Sequence, residues 1–126
     1  MKALFIGVIA AAALVAATAS AQATIHPAST RGSQAAALIT RVNVAASEFK
    51  FVLSKRTARR GVVIFRITNV GKIKHDFAIK LRKTRLLAHG QSAILRVVFL
   101  RKGSYPYRCT VPGHAAAGMK GVFRVT

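Results

Sequence analysis

The chain has 126 residues, of which 52% are hydrophobic, and it sets 21 Lys and Arg against two acidic residues for a formal charge of +19. A chain of this length holds one small domain, which excludes a multidomain enzyme. A charge of this size first suggests nucleic acid, but the basic residues are scattered rather than gathered into a run with interleaved aromatics, and that pattern argues against it.

Residues 1–23, MKALFIGVIAAAALVAATASAQA, carry one lysine, an apolar alanine-rich run and then small residues at small-x-small spacing. This predicts a secretory signal peptide, and with it a periplasmic or extracellular location. The alternative is an uncleaved anchor, against which the run is short for a bilayer. Residues 24–36, TIHPASTRGSQAA, are small and polar and predict a flexible lead segment. The remaining domain, residues 37–126, reads as strands and turns. LITRVNVAA and FKFVLS are short and rich in β-formers, and RTARRG reads as a turn. VVIFRITN alternates, with Val63, Phe65 and Ile67 on one face. HDFAIKL places His75, Phe77, Ile79 and Leu81 on one face and Asp76, Ala78 and Lys80 on the other. SAILRVVFL aligns Leu95, Val97 and Phe99; SYPYRC aligns Tyr105, Tyr107 and Cys109; GVFRVT aligns Phe123 and Val125. Period-two alternation with turn signals every eight to twelve residues predicts an all-β sandwich or barrel. The loop VPGHAAAG has room for one helical turn at its alanines, limited by its proline and glycines.

The chain holds a single cysteine. In an oxidising compartment small domains are commonly stapled by disulfides, and a lone thiol cannot make one internally. Cys109, His114 and Met119 stand in a C-x4-H-x4-M string on the loop between the last two predicted strands. A loop of this length can aim a thiolate, an imidazole and a thioether at one point. Such a soft-to-intermediate set suits copper, given a second imidazole. Four histidines are present. His26 falls in the lead segment and His89 in the turn LAHGQ, both read as exposed and without a role. His75 begins a strand directly after TNVGKIK and can lie at the same end of the sandwich as the loop.

TNVGKIKHDFAI followed by GSYPYRCTVPGHAAAGMKGVFRV resembles the cupredoxins, the azurin-, auracyanin- and plastocyanin-like blue copper proteins, over roughly residues 38–126. The resemblance implies a Greek-key β-sandwich of about eight strands with one type 1 copper at one end. It implies that His75 and His114 are the imidazole ligands, Cys109 the thiolate and Met119 the weak axial donor. Asp76 stands where the family usually has Asn, a residue that bonds the one after the cysteine, here Thr110. A carboxylate there can accept from the Thr110 backbone or hydroxyl but cannot donate. The backbone N–H of Asp76 can point at the Cys109 sulfur, and that of Val111 can supply a second donor. Proline falls at Pro112, one step too late to remove the second of these donors.

The function implied is an exported one-electron carrier rather than an enzyme. A copper carrier or sensor module without redox traffic is the alternative with the same ligands. The resemblance places electron exit at the His114 edge, with a docking patch of small or apolar residues: Val111, Pro112, Ala115, Ala116 and Ala117. The charge suits an acidic redox partner, and also an anionic cell surface or an acidic habitat. The expected state is a monomer.

Overall fold

The computed structural model describes residues 7, 10–14, 16 and 38–126. The lead segment expected over 24–36, with His26, lies outside the described residues, as does most of the signal peptide expected over 1–23. No helix among the described residues is long and apolar enough to cross a membrane.

The described residues form nine strands: β1 (Ile39–Ser47), β2 (Lys50–Leu53), β3 (Thr57–Ala58), β4 (Gly61–Asn69), β5 (Ala78–Ile79), β6 (Arg82–Lys83), β7 (Ser92–Phe99), β8 (Gly103–Arg108) and β9 (Lys120–Val125). They build two sheets, ordered β2-β1-β4-β7 and β3-β9-β8-β5-β6. β1 pairs parallel with β4 and β3 parallel with β9, while the other strand pairs are antiparallel. The result is an all-β, Greek-key sandwich.

Alternation places the core. Val42, Val44 and Ala46 of β1, Val63, Phe65 and Ile67 of β4, and Leu95, Val97 and Phe99 of β7 face inward from the first sheet. Ile79, Tyr107, Phe123 and Val125 meet them from the second. Phe65 lies at the centre, its ring centroid 5.4 Å from that of Phe77 and 5.2 Å from that of Phe123. Phe77 touches Phe51 and Tyr107 in turn, with centroids at 5.2 and 5.4 Å. Offset and edge-on pairs at such separations add to the burial energy of the rings. Phe77 lies two residues from His75, so the aromatic core directly supports the segment that carries that imidazole.

Three local expectations are corrected. RTARRG is not only a turn, because Thr57 and Ala58 pair with Arg124 and Val125 as β3. HDFAIKL is not one strand. His75 makes an isolated bridge to Leu87, and only Ala78–Ile79 forms a ladder. Leu81 does not share the inward face. Lys80 has a φ of 57°, which turns the chain into β6 and leaves Leu81 97% exposed. The turn is held from outside by Lys80 Nζ, which donates to the Val98 carbonyl at 2.9 Å.

Candidate metal centre

Two loops at one end of the sandwich carry the site. The first follows β4. Asn69, wholly buried at the strand end, donates from its side-chain amide to the Ile73 and Leu87 carbonyls, both at 2.8 Å, and accepts from the Gly71 N–H at 2.9 Å. A buried amide satisfied on three sides fixes the path of residues 70–74. His75 is then pinned to Leu87 by reciprocal backbone bonds of 3.0 and 2.7 Å.

The second loop joins β8 to β9. Cys109 N–H donates to the Met119 carbonyl at 3.0 Å and Met119 N–H to the His114 carbonyl at 3.0 Å. His114 N–H donates back to the Val111 carbonyl at 3.1 Å, and Ala117 N–H to the Gly113 carbonyl at 3.0 Å, so a single helical turn crosses the alanines. These bonds close the loop on itself and bring its three sulfur- and nitrogen-bearing residues together. Gly113, at a φ of 82°, supplies the left-handed turn that starts the reversal.

His75, Cys109 and His114 converge, one ligand atom of each lying within 4.8 Å of the others. His75 Nδ1 is 3.2 Å from His114 Nδ1, and Cys109 Sγ is 3.6 Å from the same His114 nitrogen. Both imidazoles thus present Nδ1 to the point the sulfur faces. His75 and Cys109 are buried, and His114 is half-buried. Met119 is wholly buried, with its backbone bonded to both Cys109 and His114.

Asp76 ties the two loops together. Its Oδ1 accepts from the Thr110 N–H at 2.6 Å and its Oδ2 from the Thr110 hydroxyl. Burial pushes the Cys109 thiol up, while the backbone N–H groups of Asp76 and Val111 pull it down. Burial pushes the His75 imidazole down, opposed by the Glu48 carboxylate and reinforced by His114. Around the site Val111 and Ala115 are half-buried, and Pro112, Ala116 and Ala117 are exposed.

Sequence reasoning passed over the turn between β1 and β2, which forms the third wall. Glu48 Oε1 accepts from the Lys72 and Ile73 N–H groups at 2.5 and 2.9 Å and lies 3.5 Å from His75 Nε2. The Ile73 N–H, with donors from Glu48 itself and Lys72, holds the Glu48 carboxyl down at about 2. Phe49 sets its ring edge-on to His114 with centroids 5.2 Å apart. The one available signal was scarcity: Glu48 and Asp76 are the chain's only carboxylates, and both stand beside this centre. His89, expected to have no role, is exposed as expected but bonds the Gly71 carbonyl through Nδ1 at 2.6 Å.

A thiol and two imidazoles presenting Nδ1 to it form a soft-to-intermediate donor set, which fits copper. The model of the copper-binding protein family of plastocyanin and azurin matches residues 34–126. The chain belongs to this family and is a cupredoxin. Its fold is similar to that of dithionite-reduced auracyanin from Roseiflexus castenholzii, at 20% identity and a TM-score of 0.61, over 69% of this chain and 97% of that one. Reduced rusticyanin is similar at 22% identity and a TM-score of 0.58, over 70% and 79%. A multicopper oxidase matches at 14% identity and a TM-score of 0.56, over 69% of this chain but only 44% of the oxidase. Among curated proteins no sequence matches. The cofactor of this cupredoxin is copper.

Proposed function

We propose that this cupredoxin is an exported one-electron carrier. His75, Cys109 and His114 would hold its copper, and the Met119 thioether would add a weaker donor. The observation that carries this reading is the convergence of two Nδ1 atoms and one Sγ on loops locked by their own backbone bonds. Bound copper supplies a centre that gains and loses a single electron.

The protein's own contribution is geometric. The closed loop and the Asp76–Thr110 bridge resist movement of the ligands, so a change of charge at the site calls for little rearrangement. Burial of His75, Cys109 and Met119 keeps water away. His114 alone of the four is partly open, and the small residues beside it let a partner approach closely. Val111, Pro112, Ala115, Ala116 and Ala117 suit a weak, brief encounter of small area. Among the described residues one cluster of metal-binding side chains is found, His75, Cys109 and His114, and a single centre of this kind is what a carrier of single electrons needs.

Copper addition followed by absorption spectroscopy tests the assignment. A strong thiolate-to-copper band in the visible is expected, lost in Cys109→Ser and kept in Met119→Leu. Persistence of the band in Cys109→Ser removes the thiolate from the site. Reversible one-electron voltammetry, with fast exchange to a second redox protein, separates a carrier from a copper-handling module. A protein that binds copper but exchanges electrons with no partner is the latter.

A further inference from the structure

The two imidazoles have different surroundings. Both turn Nδ1 towards the metal site, so a neutral imidazole there carries its proton on Nε2, which then needs an acceptor. In His75 that nitrogen is buried and makes no hydrogen bond. The acceptor in front of it is the carboxylate of Glu48, 3.5 Å away. Several features put this carboxylate there. The Lys72 and Ile73 N–H groups grip the same oxygen, Oε1. Gly71 leaves the room, since a Cβ at that position would fall on the Glu48 carboxylate. The glutamate comes from the β1–β2 turn, so the contact links the first sheet to the loop that carries His75. A shift of about 0.5 Å brings the pair within ordinary N–H···O range. In a chain of 21 cationic residues, one of two carboxylates has been placed where it faces a ligand.

We propose that Glu48 is the charged acceptor for the Nε2–H of His75, a positioning residue that orients the imidazole and favours the more positive, oxidised state of the bound copper. A hydrogen-bonded carboxylate makes an imidazole a stronger donor, as in carboxylate–histidine–metal triads. Its negative charge also favours the higher metal charge directly. Glu48 is 36% exposed, so solvent weakens the second effect. The proposal rests on the copper assignment above, and its test has one arm that needs no metal.

Glu48→Gln keeps an oxygen for the Lys72 and Ile73 N–H groups and removes only the charge. At a fixed ambient potential the ratio of reduced to oxidised copper should rise about tenfold, equivalent to about 59 mV for a one-electron couple. Thr57→Lys, at the exposed first position of β3 away from the site, changes the net charge by the same amount and should leave the ratio unchanged. In the metal-free protein above pH 8, nitrogen-resolved NMR should find His75 as the Nε2–H tautomer, because the partner of one ring nitrogen decides which carries the proton. An unchanged ratio in Glu48→Gln, or an equal rise in Thr57→Lys, overturns the proposal. So does a wild-type metal-free His75 protonated on Nδ1, a measurement that stands even if the variant does not fold. Absence of the visible band from copper-loaded wild type would instead count against the copper assignment.

Discussion

At the Cys109 sulfur two influences oppose each other. Burial disfavours the thiolate, and the backbone N–H groups of Asp76 and Val111 favour it. Donors aimed at a ligating sulfur stabilise its negative charge and weaken its donation, which raises the reduction potential. Val111→Pro removes one of them without touching a ligand. The potential should fall while the visible band persists, as read by voltammetry and absorption on the same sample. An unchanged potential in a folded variant would show that the Val111 N–H has no hold on the sulfur. Met119→Leu should act in the other direction, raising the potential through loss of a weak donor. Cys109 and His114 were legible because they lie with Thr110, Val111 and Met119 in one short string, where spacing alone limits what a loop can bring together. Glu48 and Phe49 were not. They reach His75 and His114 from a hairpin turn far away in sequence, and nothing in their local pattern distinguishes them from other turn residues.

The element that sets the site most firmly is the segment from the end of β4 to His75. It has no strand ladder of its own and depends on Asn69, whose amide holds the Ile73 and Leu87 carbonyls and the Gly71 N–H. In Asn69→Ala the Leu87 carbonyl keeps the His75 N–H and the Gly71 N–H keeps the Ala46 carbonyl, so the Ile73 carbonyl is the group left unpaired, at about 1–3 kcal/mol where water cannot reach it. Chemical denaturation should show a loss of at least about 1 kcal/mol, and copper affinity should fall with it, because Leu87 also pins His75. A variant with wild-type stability would mean that the loop is held by its neighbours and not by the amide. The strands themselves were legible wherever alternation ran long enough to define a face, as it does in β4, β7 and β9. It misled at HDFAIKL, where alternation continues past Ile79 but the chain does not. Lys80 adopts a left-handed conformation that the pattern of apolar residues cannot express, so Leu81 leaves the core face. β3 was missed for a related reason. Its two residues gain their strand character from a long-range parallel pairing with β9, not from local propensity.

Charge belongs to the whole molecule. The formal net charge is +19, and the two carboxylates both stand beside the copper site. Glu48 and Asp76 are held there by backbone or hydroxyl donors, so the remaining surface presents cations with no acidic residue interspersed. Such a surface carries a long-range positive field that hardly changes as carboxylates elsewhere would titrate. A field of this kind would steer an acidic partner and raise the encounter rate, while the small apolar patch proposed for docking around His114 would contribute a short-lived contact. Electron exchange with an acidic redox protein should therefore slow steeply as ionic strength rises from about 0.01 to 0.1 M, over which the Debye length shrinks from about 30 to 10 Å. Stopped-flow mixing across that range measures it. The bimolecular rate should drop by at least tenfold, while the reduction potential and the visible band stay nearly constant, because the buried ligands are screened far less than the surface. A basic partner should show the opposite slope, its rate rising as salt masks the repulsion. A rate independent of salt with acidic and basic partners alike would detach the charge from partner recognition and turn the explanation to an anionic surface or an acidic habitat.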